Sequence, residues 1–334
     1  MKIILVCNNF GAKYDGIGAY AEKIYNSLIV NGSDVKICTA YCKANEMLKR
    51  IFTLGMSSAI FRATKDILFE KFNKAIIEYP FVEWNPLFCL GVLILKIATV
   101  LTGTELIVTI HEYKRVNIIR KAVIIYLTLL GNKILVTEKE NFDLLKKYND
   151  KINKINIPSN IDIQYDKNIE KKKEFVYFGI VNKAKAFNEM MTAWDDFNCD
   201  SKYKLYCITS SKLKNMEKHK NVEYIFNASD VIINKIMCRS VFSIVPIKPF
   251  VDEKNATFKT SCLAGCVSIG NFCEEYKKLP FVVNVDNYKK EGFIEAFEKS
   301  INIDNTTIKQ LSLNAVEFGK EYSIENNVKK YVET

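Results

Sequence analysis

Acidic and hydroxyl side chains lie between two apolar runs of the chain, 241–247 and 266–269. The pattern predicts two buried strands, joined by a loop that carries Asp252 and Glu253 and by a short helix that begins near Thr257. In an open α/β sheet, ligands bind where the carboxyl ends of strands meet the beginnings of helices. A carboxylate and hydroxyls at such a junction are well placed to hold a ligand, and we expect a sugar nucleotide here.

A glycine-bearing turn follows the first apolar run of the chain, Lys2 to Cys7. The motif Asp15-Gly16-Ile17-Gly18 precedes a predicted helix from about Ala19 to Val30. This arrangement places backbone N–H groups and the positive end of a helix beside any bound phosphate. The third glycine of the dinucleotide fingerprint is missing, which weakens the case for an NAD-dependent enzyme. Glycines in such a turn can also serve backbone geometry alone.

The order of strand, glycine and helix recurs in the second half of the chain. A predicted strand over 174–178 is followed by Gly179, then by Lys183 and Lys185, and then by a helix that reaches Phe197. A lysine at the start of a helix adds a full positive charge to the helix end, which favours a phosphate ligand. We favour Lys185 as a ligand from its position at the helix end, and a solvated surface lysine is the alternative interpretation.

A histidine leaves the carboxyl end of another predicted strand, 105–110. Side chains at this end of an inner strand lie where binding sites are built, so His111 is a candidate site residue. From the sequence pattern alone, a hydrogen-bonded structural histidine is the more common outcome.

These motifs resemble those of the retaining GT-B glycosyltransferases, especially the large family 4 (glycosyltransferase group 1). Glu253 falls on the first of the two glutamates of that family, and Ser261 stands eight positions later, at the place of the second. Gly16 and Gly18 match the family's Gly-Gly-Ile-Gly loop, with Asp15 in place of the first glycine. The order of the motifs extends over nearly the whole chain.

Two further motifs carry the resemblance. The strand that closes in Thr109-Ile110-His111 matches the place where family 4 enzymes put a histidine near the donor sugar, and 155–162 is similar to the segment that closes their first domain. At the second glycine turn, Ile180 stands where the family has an arginine, while Lys183 and Lys185 remain.

The resemblance implies a role for each candidate residue. The implied catalytic residues are Glu253 and His111, and the implied nucleotide-sugar ligands are Gly16, Gly18, Lys183, Lys185 and Ser261. The glutamate would fix hydroxyls of the transferred sugar, the histidine would lie near the reacting centre, the serine would contact the ribose, and the glycines and lysines would hold the diphosphate. No metal or other cofactor is expected, because helix ends and lysine can neutralise a diphosphate and no Asp-x-Asp pair stands at a strand end.

Composition limits the class of protein. The chain has 334 residues, which suits two domains of about 150 residues each. A hydrophobic content of 49% with 13 glycines and 6 prolines excludes a disordered or fibrous protein. The ten cysteines are scattered without a CxxC pair and only two histidines are present, so we expect a reducing cytoplasm and neither a zinc site nor a disulfide framework. The first apolar run is too short for a signal peptide, which also favours the cytoplasm.

The predicted fold is α/β of the GT-B type, with two Rossmann-like domains that face each other across a cleft. We expect an acceptor-side domain over residues 1–165 and a nucleotide-sugar domain over 166–319, with the C-terminal helix 320–334 packing back onto the first domain. The polar, lysine-rich stretch 166–174 marks the boundary as an interdomain linker.

The net charge of +10 is unevenly distributed. Residues 113–137 contain five cations, no acid and several isoleucines, and the cations are Lys114, Arg115, Arg120, Lys121 and Lys133. This composition suggests peripheral contact with anionic lipid or a lipid pyrophosphate, and a core-facing helix with a solvated basic end is the equal alternative. The apolar run from Pro86 to Leu101 is too short to span a bilayer and predicts a buried or membrane-resting helix. Nucleic acid is not expected as a partner, because basic charge alone is non-specific.

The resulting hypothesis is a hexosyltransferase-type enzyme that moves a sugar from a nucleoside-diphosphate donor to a glycan or lipid-linked glycan acceptor. Bacterial capsule or O-antigen synthesis, a retaining outcome and a location in the cytoplasm, on the inner face of the cell membrane, complete this expectation. Three alternatives stay open: a sugar-nucleotide epimerase of the same fold, a catalytically silent GT-B partner subunit suggested by Ser261 and Ile180, and an NAD-dependent enzyme.

Overall fold

A computed structural model describes residues 1–11, 16–41, 55–79, 86–114, 116–159, 161, 163–210 and 219–333. The chain divides into two compact units. The first unit combines Met1–Asn156 with Ile324–Thr334, and the second unit is the continuous segment Ile157–Ser323.

Each unit contains a six-stranded parallel sheet. The strands of the first sheet are β1 (Lys2–Asn9), β2 (Asp34–Tyr41), β3 (Lys74–Tyr79), β4 (Glu105–Ile110), β5 (Lys133–Val136) and β6 (Ile152–Lys154), in the order β2-β1-β3-β4-β5-β6. The strands of the second sheet are β7 (Lys172–Phe178), β8 (Leu205–Thr209), β9 (Val222–Phe226), β10 (Ser240–Ile244), β11 (Val267–Gly270) and β12 (Val282–Asn284), in the order β12-β11-β10-β7-β8-β9.

Helices lie between most consecutive strands of the described chain, as the crossover connections of parallel strands require. The helices are α1 (Gly16–Val30), α2 (Gly55–Phe69), α3 (Pro86–Thr102), α4 (Ile118–Leu130), α5 (Lys139–Leu145), α6 (Phe187–Phe197), α7 (Asp230–Arg239), α8 (Ala256–Leu263), α9 (Lys290–Ile301), α10 (Asn305–Lys320) and α11 (Ile324–Val332). Within the described ranges, every helix is too short or too polar to cross a bilayer.

The first sheet is covered by helices on both faces. The alternation of strand side chains sends Ile4 and Val6 toward α2, α3 and α4, while Ile3, Leu5 and Cys7 face α1 and α11. Because both faces are buried, the inner strands carry continuous apolar runs rather than alternating patterns.

The second sheet has the same layered construction. Phe175 and Trp194 belong to a core on one face, with α6 and α9, and Val176 and Met237 belong to a core on the other face, with α7. Each sheet has a point where the strand order reverses, between β1 and β3 in the first and between β7 and β10 in the second. Ligands of open α/β sheets bind beyond the carboxyl ends of the strands at these points.

The division into units differs in position from the expected boundary at 165–166. Residues after Asn156 belong to the second unit, because Ile163 packs in its core and Ser159 Oγ lies 2.7 Å from Thr260 Oγ1. The stretch 166–174, predicted as a linker, therefore lies inside the second unit and runs into β7.

The end of the chain returns to the first unit. Helix α11 begins at Ile324, four residues later than the expected start of the returning segment, and it buries Val328 and Tyr331 against the first sheet. Asp15 and Arg115 lie outside the described residues, as do Asn160 and Asp162 of the segment 155–162.

Candidate functional site

A cavity of about 430 Å³ lies at the carboxyl ends of β7 and β8 in the second unit. Its lining includes Gly179, Lys185, Thr209, Ser210, Asn227 and Thr257. Gly179 directly follows β7, one of the two strands that flank the reversal point of the second sheet, so the cavity borders the place where a ligand is expected.

Backbone pairing fixes the lysine that lines this cavity. The N–H of Ala186 donates to the carbonyl of Pro246 at 2.8 Å, and the N–H of Lys248 donates to the carbonyl of Ala184 at 2.8 Å. The loop after β7 is thereby joined to the loop after β10, and Lys185 pairs with Ile247 in an isolated antiparallel bridge. Lys185 is therefore held in an ordered position although it lies in a turn.

The ammonium of Lys185 lies over Gly179. A Cβ atom added at Gly179 would come within 2.4 Å of Lys185 Nζ and within 3.6 Å of Thr257 Oγ1. The glycine also has φ +141°, a conformation that side-chain-bearing residues rarely adopt. An ammonium, a hydroxyl and an open stretch of backbone thus converge at one wall of the cavity.

Lys185 carries a charge that no described residue neutralises. Its Nζ lies 5.3 Å from the centroid of the Tyr177 ring, and it makes no hydrogen bond or ion pair with the residues that the structure describes. Burial lowers the pKa of Lys185 to about 8. A partly desolvated ammonium without a counter-ion is a strong attractor for an anion such as a diphosphate.

Lys183, the second predicted phosphate ligand, has a different environment. Its side chain is exposed, and it is not among the residues that line the cavity. The two lysines are two positions apart, yet only Lys185 is paired with Ile247 and directed to the cavity wall.

Ser261 lies inside the second unit rather than at a ligand surface. The residue is completely buried, its Oγ lies 2.6 Å from Ser243 Oγ, and it donates to the carbonyl of Thr257 at 3.0 Å. Position 261 lies one helical turn beyond Thr257 and inside the second unit, and contact of Ser261 with a ribose stays a prediction. Thr257, in the first turn of the same helix, is the residue that lines the cavity.

Glu253 lies in the loop before α8 and is half-buried. Its carbonyl accepts a hydrogen bond from Lys259 Nζ, which also donates to the carbonyl of Ile157 at 2.8 Å. Lys259 is completely buried, with Nζ 4.8 Å from the centroid of the Tyr322 ring. The buried Lys259 thus holds the loop in place. Glu253 is not among the residues that line the cavity.

His111 in the first unit is paired with a buried carboxylate. Its Nε2 lies 2.9 Å from Oε2 of Glu78, and Glu78 is completely buried. The other oxygen of Glu78 accepts hydrogen bonds from Thr109 Oγ1 at 3.1 Å and from the Tyr331 hydroxyl at 2.9 Å. The pairing with Glu78 fixes the orientation of the His111 ring, and Nε2 is the donor in the tautomer that carries its hydrogen there.

Two tyrosines complete this buried group. The Tyr20 and Tyr331 hydroxyls lie 3.1 Å apart, and the Tyr20 ring meets the His111 ring edge-on at 5.0 Å. Burial first, and the nearby Glu78 carboxylate second, raise the pKa of both tyrosines well above their usual value. Both hydroxyls therefore stay protonated and can donate.

Sequence reasoning singled out His111 but not Glu78 or Tyr331. A glutamate within the apolar run Ile76-Ile77-Glu78-Tyr79 was the available signal, because a carboxylate on a buried strand must be hydrogen-bonded. Tyr331 gives no local signal, since it lies 253 positions from Glu78.

The glycines of the first turn have a demonstrable packing role. A Cβ atom at Gly18 would lie 1.8 Å from the carbonyl oxygen of Asn9, and the N–H of Gly11 donates to the carbonyl of Gly18 at 3.2 Å. Helix α1, which opens at Gly16, thereby approaches the end of β1 closely. Contact of Gly16 and Gly18 with a phosphate stays a prediction.

No protein-family model and no curated protein sequence matches the chain. Solved structures do match over nearly its whole length. An alpha-glucosyltransferase in complex with UDP-glucose and DNA containing an abasic site has a TM-score of 0.63 at 12% identity, covering 99% of this chain and 98% of that chain. A glycosyltransferase from Rickettsia africae ESF-5 has a TM-score of 0.64 at 13% identity, covering 99% and 97%.

A third match is WaaG, a glycosyltransferase involved in lipopolysaccharide biosynthesis, with a TM-score of 0.58 at 10% identity over 100% of both chains. The fold is GT-B. The predicted architecture of two Rossmann-like units is therefore confirmed. At these identities the likeness establishes the fold, and membership of the retaining family 4 stays a prediction.

Proposed function

We propose that this GT-B protein is a glycosyltransferase that moves a hexose-type sugar from a nucleoside-diphosphate donor to an acceptor hydroxyl. The observation that carries the proposal is the cavity at the carboxyl ends of β7 and β8, where the ammonium of Lys185, without an ion-pair partner among the described residues, lies beside Gly179 and Thr257. The alpha-glucosyltransferase of the same fold has been crystallised with UDP and with UDP-glucose, which supports this class of donor.

The donor diphosphate would bind at the Lys185 wall of the cavity. The ammonium supplies a full positive charge, and α6, which begins two residues later, adds the positive end of its dipole. The Thr257 hydroxyl can donate to a phosphate oxygen, and the lack of a side chain at Gly179 lets the phosphate approach the backbone. Thr209, Ser210 and Asn227 line the same cavity at the ends of β8 and β9, and they would supply polar groups for the nucleoside.

In the transfer step, the bond between the anomeric carbon and the diphosphate oxygen breaks, and a bond to the acceptor oxygen forms. The acceptor proton passes to the departing phosphate, whose developing charge Lys185 stabilises. A retaining outcome follows if the departing diphosphate guides the acceptor to the same face of the sugar. The protein contributes orientation and charge stabilisation, with Glu253 and His111 in the roles that the family resemblance implies and without a required metal.

The proposed acceptor is a glycan or lipid-linked glycan of bacterial surface polysaccharide synthesis. WaaG, of the same fold, is involved in lipopolysaccharide biosynthesis, which supports this acceptor class. A cytoplasmic enzyme in peripheral contact with the inner face of the cell membrane would meet such an acceptor. Because several structures of the same fold contain DNA, an acceptor panel should include DNA with a hydroxymethylated base.

The donor site is tested by thermal unfolding with UDP, GDP, dTDP, CMP and NAD in turn. We expect a nucleoside diphosphate to raise Tm, because a ligand that binds only the folded state stabilises it by mass action. Lys185→Ala should remove the shift and Lys183→Ala should keep it, since only Lys185 lines the cavity. Stabilisation by NAD alone would instead indicate a dehydrogenase, and no stabilisation by any compound would favour a catalytically silent subunit.

Turnover separates a transferase from an epimerase. A transferase releases nucleoside diphosphate only when an acceptor is supplied, whereas an epimerase converts the donor without an acceptor. Conversion of the donor sugar in the absence of acceptor would therefore contradict the proposal.

A further inference from the structure

Helices α2, α3 and α4 form one layer on the first sheet, with α3 in the middle. A Cβ atom at Gly91 of α3 would lie 3.2 Å from Ile60 of α2, and the Tyr126 hydroxyl of α4 donates to the carbonyl of Cys89 at 2.8 Å. The inner sides of the three helices pack in the core that faces the sheet. The layer therefore presents one outer surface formed by all three helices.

The outer side of α3 is apolar along its length. Its exposed large apolar residues are Leu87, Leu90, Leu93, Ile94, Ile97, Val100 and Leu101. Positions 87, 90, 94, 97 and 101 follow the spacing of one helix face, while Val92 and Leu95 face the core. Leu101 is 74% exposed and Val100 is 66% exposed, so the apolar side of α3 is in contact with solvent.

The neighbouring helices extend the apolar surface. On α2 the exposed residues are Phe61, Leu68 and Phe69, and on α4 they are Ile118, Ile119 and Leu129. More than half of the exposed large apolar side chains in the described part of the chain lie on these three helices. An apolar concentration of this kind marks an interaction surface.

The charges around the apolar stripe are positive. Neither α3 nor α4 contains an aspartate or glutamate, and α4 carries Arg120 and Lys121. Helix α2 carries Arg62 and Lys65 on exposed positions, and its one acid, Asp66, is paired with Lys36 at 3.0 Å. A surface with leucines and isoleucines at its centre and cations at its sides complements acyl chains and anionic headgroups together.

The geometry favours a helix that lies in the membrane interface rather than one that crosses the bilayer. Helix α3 has 17 residues, which corresponds to about 25 Å, whereas a hydrocarbon core is about 30 Å thick. Its inner side is committed to the protein core, with Val92 and Leu95 completely buried. Only the outer stripe is available, and it can enter the boundary between headgroups and acyl chains while the rest of the unit stays above it.

We propose that the outer surface of α2, α3 and α4 docks on an anionic membrane, with the α3 stripe inserted at the headgroup boundary. This assigns the lipid contact chiefly to α3. Among the described cations of 113–137 it assigns the contact to Arg120 and Lys121, because Lys114 is paired with Glu140 and Lys133 Nζ donates to the carbonyl of Glu333 at 2.9 Å. The inference deepens the proposed function by naming the surface that meets the membrane. It rests on that function only for the choice of a lipid partner.

The test is vesicle flotation of the full chain without donor or acceptor, so that its outcome is independent of glycosyl transfer. The vesicles are phosphatidylcholine alone and phosphatidylcholine with phosphatidylglycerol. We expect flotation with the anionic vesicles and at least about tenfold weaker binding of the triple variant Leu90→Ser, Ile97→Ser, Leu101→Ser, since insertion depends on buried apolar area. Arg120→Glu with Lys121→Glu should weaken binding and reduce its salt dependence.

A matched control changes exposed apolar residues elsewhere. Val231→Ser with Ile232→Ser alters two exposed side chains on α7 of the second unit and should leave flotation unchanged. Far-UV circular dichroism and a cooperative thermal unfolding transition without nucleotide show that each variant is folded. Equal flotation of the triple variant and the wild type overturns the proposal. Failure of the wild type to float overturns it as well. If light scattering then shows a dimer of the wild type that the triple variant does not form, the surface is assigned to a second copy of the chain.

Discussion

Gly179 and Lys185 form one structural element, because the space that a side chain at position 179 would occupy is filled by the lysine ammonium. The added Cβ would lie 2.4 Å from Nζ. The glycine therefore allows both the close approach of the ammonium and an open backbone wall in the cavity. A side chain at position 179 would therefore have to displace the Lys185 ammonium.

The first prediction concerns this pair. Gly179→Ala should displace the ammonium and weaken nucleoside-diphosphate binding about tenfold or more, comparable to the loss of one charge-assisted hydrogen bond. Isothermal titration calorimetry measures the change. Gly32→Ala is the matched control: Gly32 has φ +78° and no atom within 4 Å of an added Cβ, so it carries backbone strain alone. If both variants bind nucleotide as the wild type does, the ammonium does not contact the ligand.

The second prediction is the pH dependence of donor binding. The pKa of Lys185 in the free protein is about 8, so the ammonium is charged below pH 8 and loses its proton above it. The dissociation constant should therefore rise above pH 8, approaching about tenfold per pH unit as the charged fraction falls. Bound diphosphate favours the charged form, so binding at pH 8 to 9 should take up a proton, which calorimetry in buffers of different ionisation enthalpy detects.

Lys185→Arg is the control for this pH profile. The pKa of arginine lies far above this range, so the side chain stays charged throughout. The affinity of the variant should therefore not change between pH 7.5 and pH 9.5. A profile with the same slope as the wild type would show that another group titrates.

The third prediction separates the two hydroxyls of α8. Thr257→Val keeps the shape of the side chain and removes the hydroxyl at the cavity, so nucleotide affinity should fall about three- to tenfold. Ser261→Ala should leave the affinity unchanged and lower the free energy of unfolding by about 1 kcal/mol, because it removes a buried hydrogen bond to Ser243. Loss of affinity in Ser261→Ala with retention in Thr257→Val would contradict the placement of α8.

The fourth prediction concerns the buried carboxylate. Glu78→Gln substitutes an NH₂ group, which cannot accept hydrogen bonds, for one carboxylate oxygen, so either the His111 bond or the pair of bonds from Thr109 and Tyr331 is lost. The free energy of unfolding in urea should fall by about 1–3 kcal/mol. The rate of transfer should also fall if His111 acts at the reacting centre, while nucleotide affinity should stay the same.

Glu70→Gln provides the comparison for this variant. Glu70 pairs with Lys2 and Lys36 on the surface, where water replaces the interaction, so its loss should be much smaller. Equal stability of Glu78→Gln and the wild type would refute the network.

Much of the fold was readable from the sequence because parallel strands and glycine turns leave local patterns. The strand–glycine–helix order at Gly16–Gly18 and at Gly179 predicted two Rossmann-like units, and the fold is of that kind. Both Lys183 and Lys185 were predicted as phosphate ligands from their place before a helix, and of the two only Lys185 lines the cavity.

The missed residues depend on contacts that are distant in the sequence. Whether a hydroxyl of α8 faces the cavity or the core depends on how the helix packs against β10. Ser261 packs against Ser243 of β10 in the core, whereas Thr257 lines the cavity. The apolar run at α3 indicated a buried or membrane-resting helix, but only packing against α2 and α4 reveals which side is covered. Tyr331 reaches Glu78 through the return of the chain, which no local pattern contains.

The discontinuity of the first unit has a consequence for biosynthesis. Val328 and Tyr331 pack in the core on one face of the first sheet, yet they follow the whole second unit in the sequence. On the ribosome, every residue of Ile157–Ser323 is made before them, so the second unit has its complete sequence first. The first unit, whose synthesis begins earlier, therefore cannot complete its core until α11 has been made.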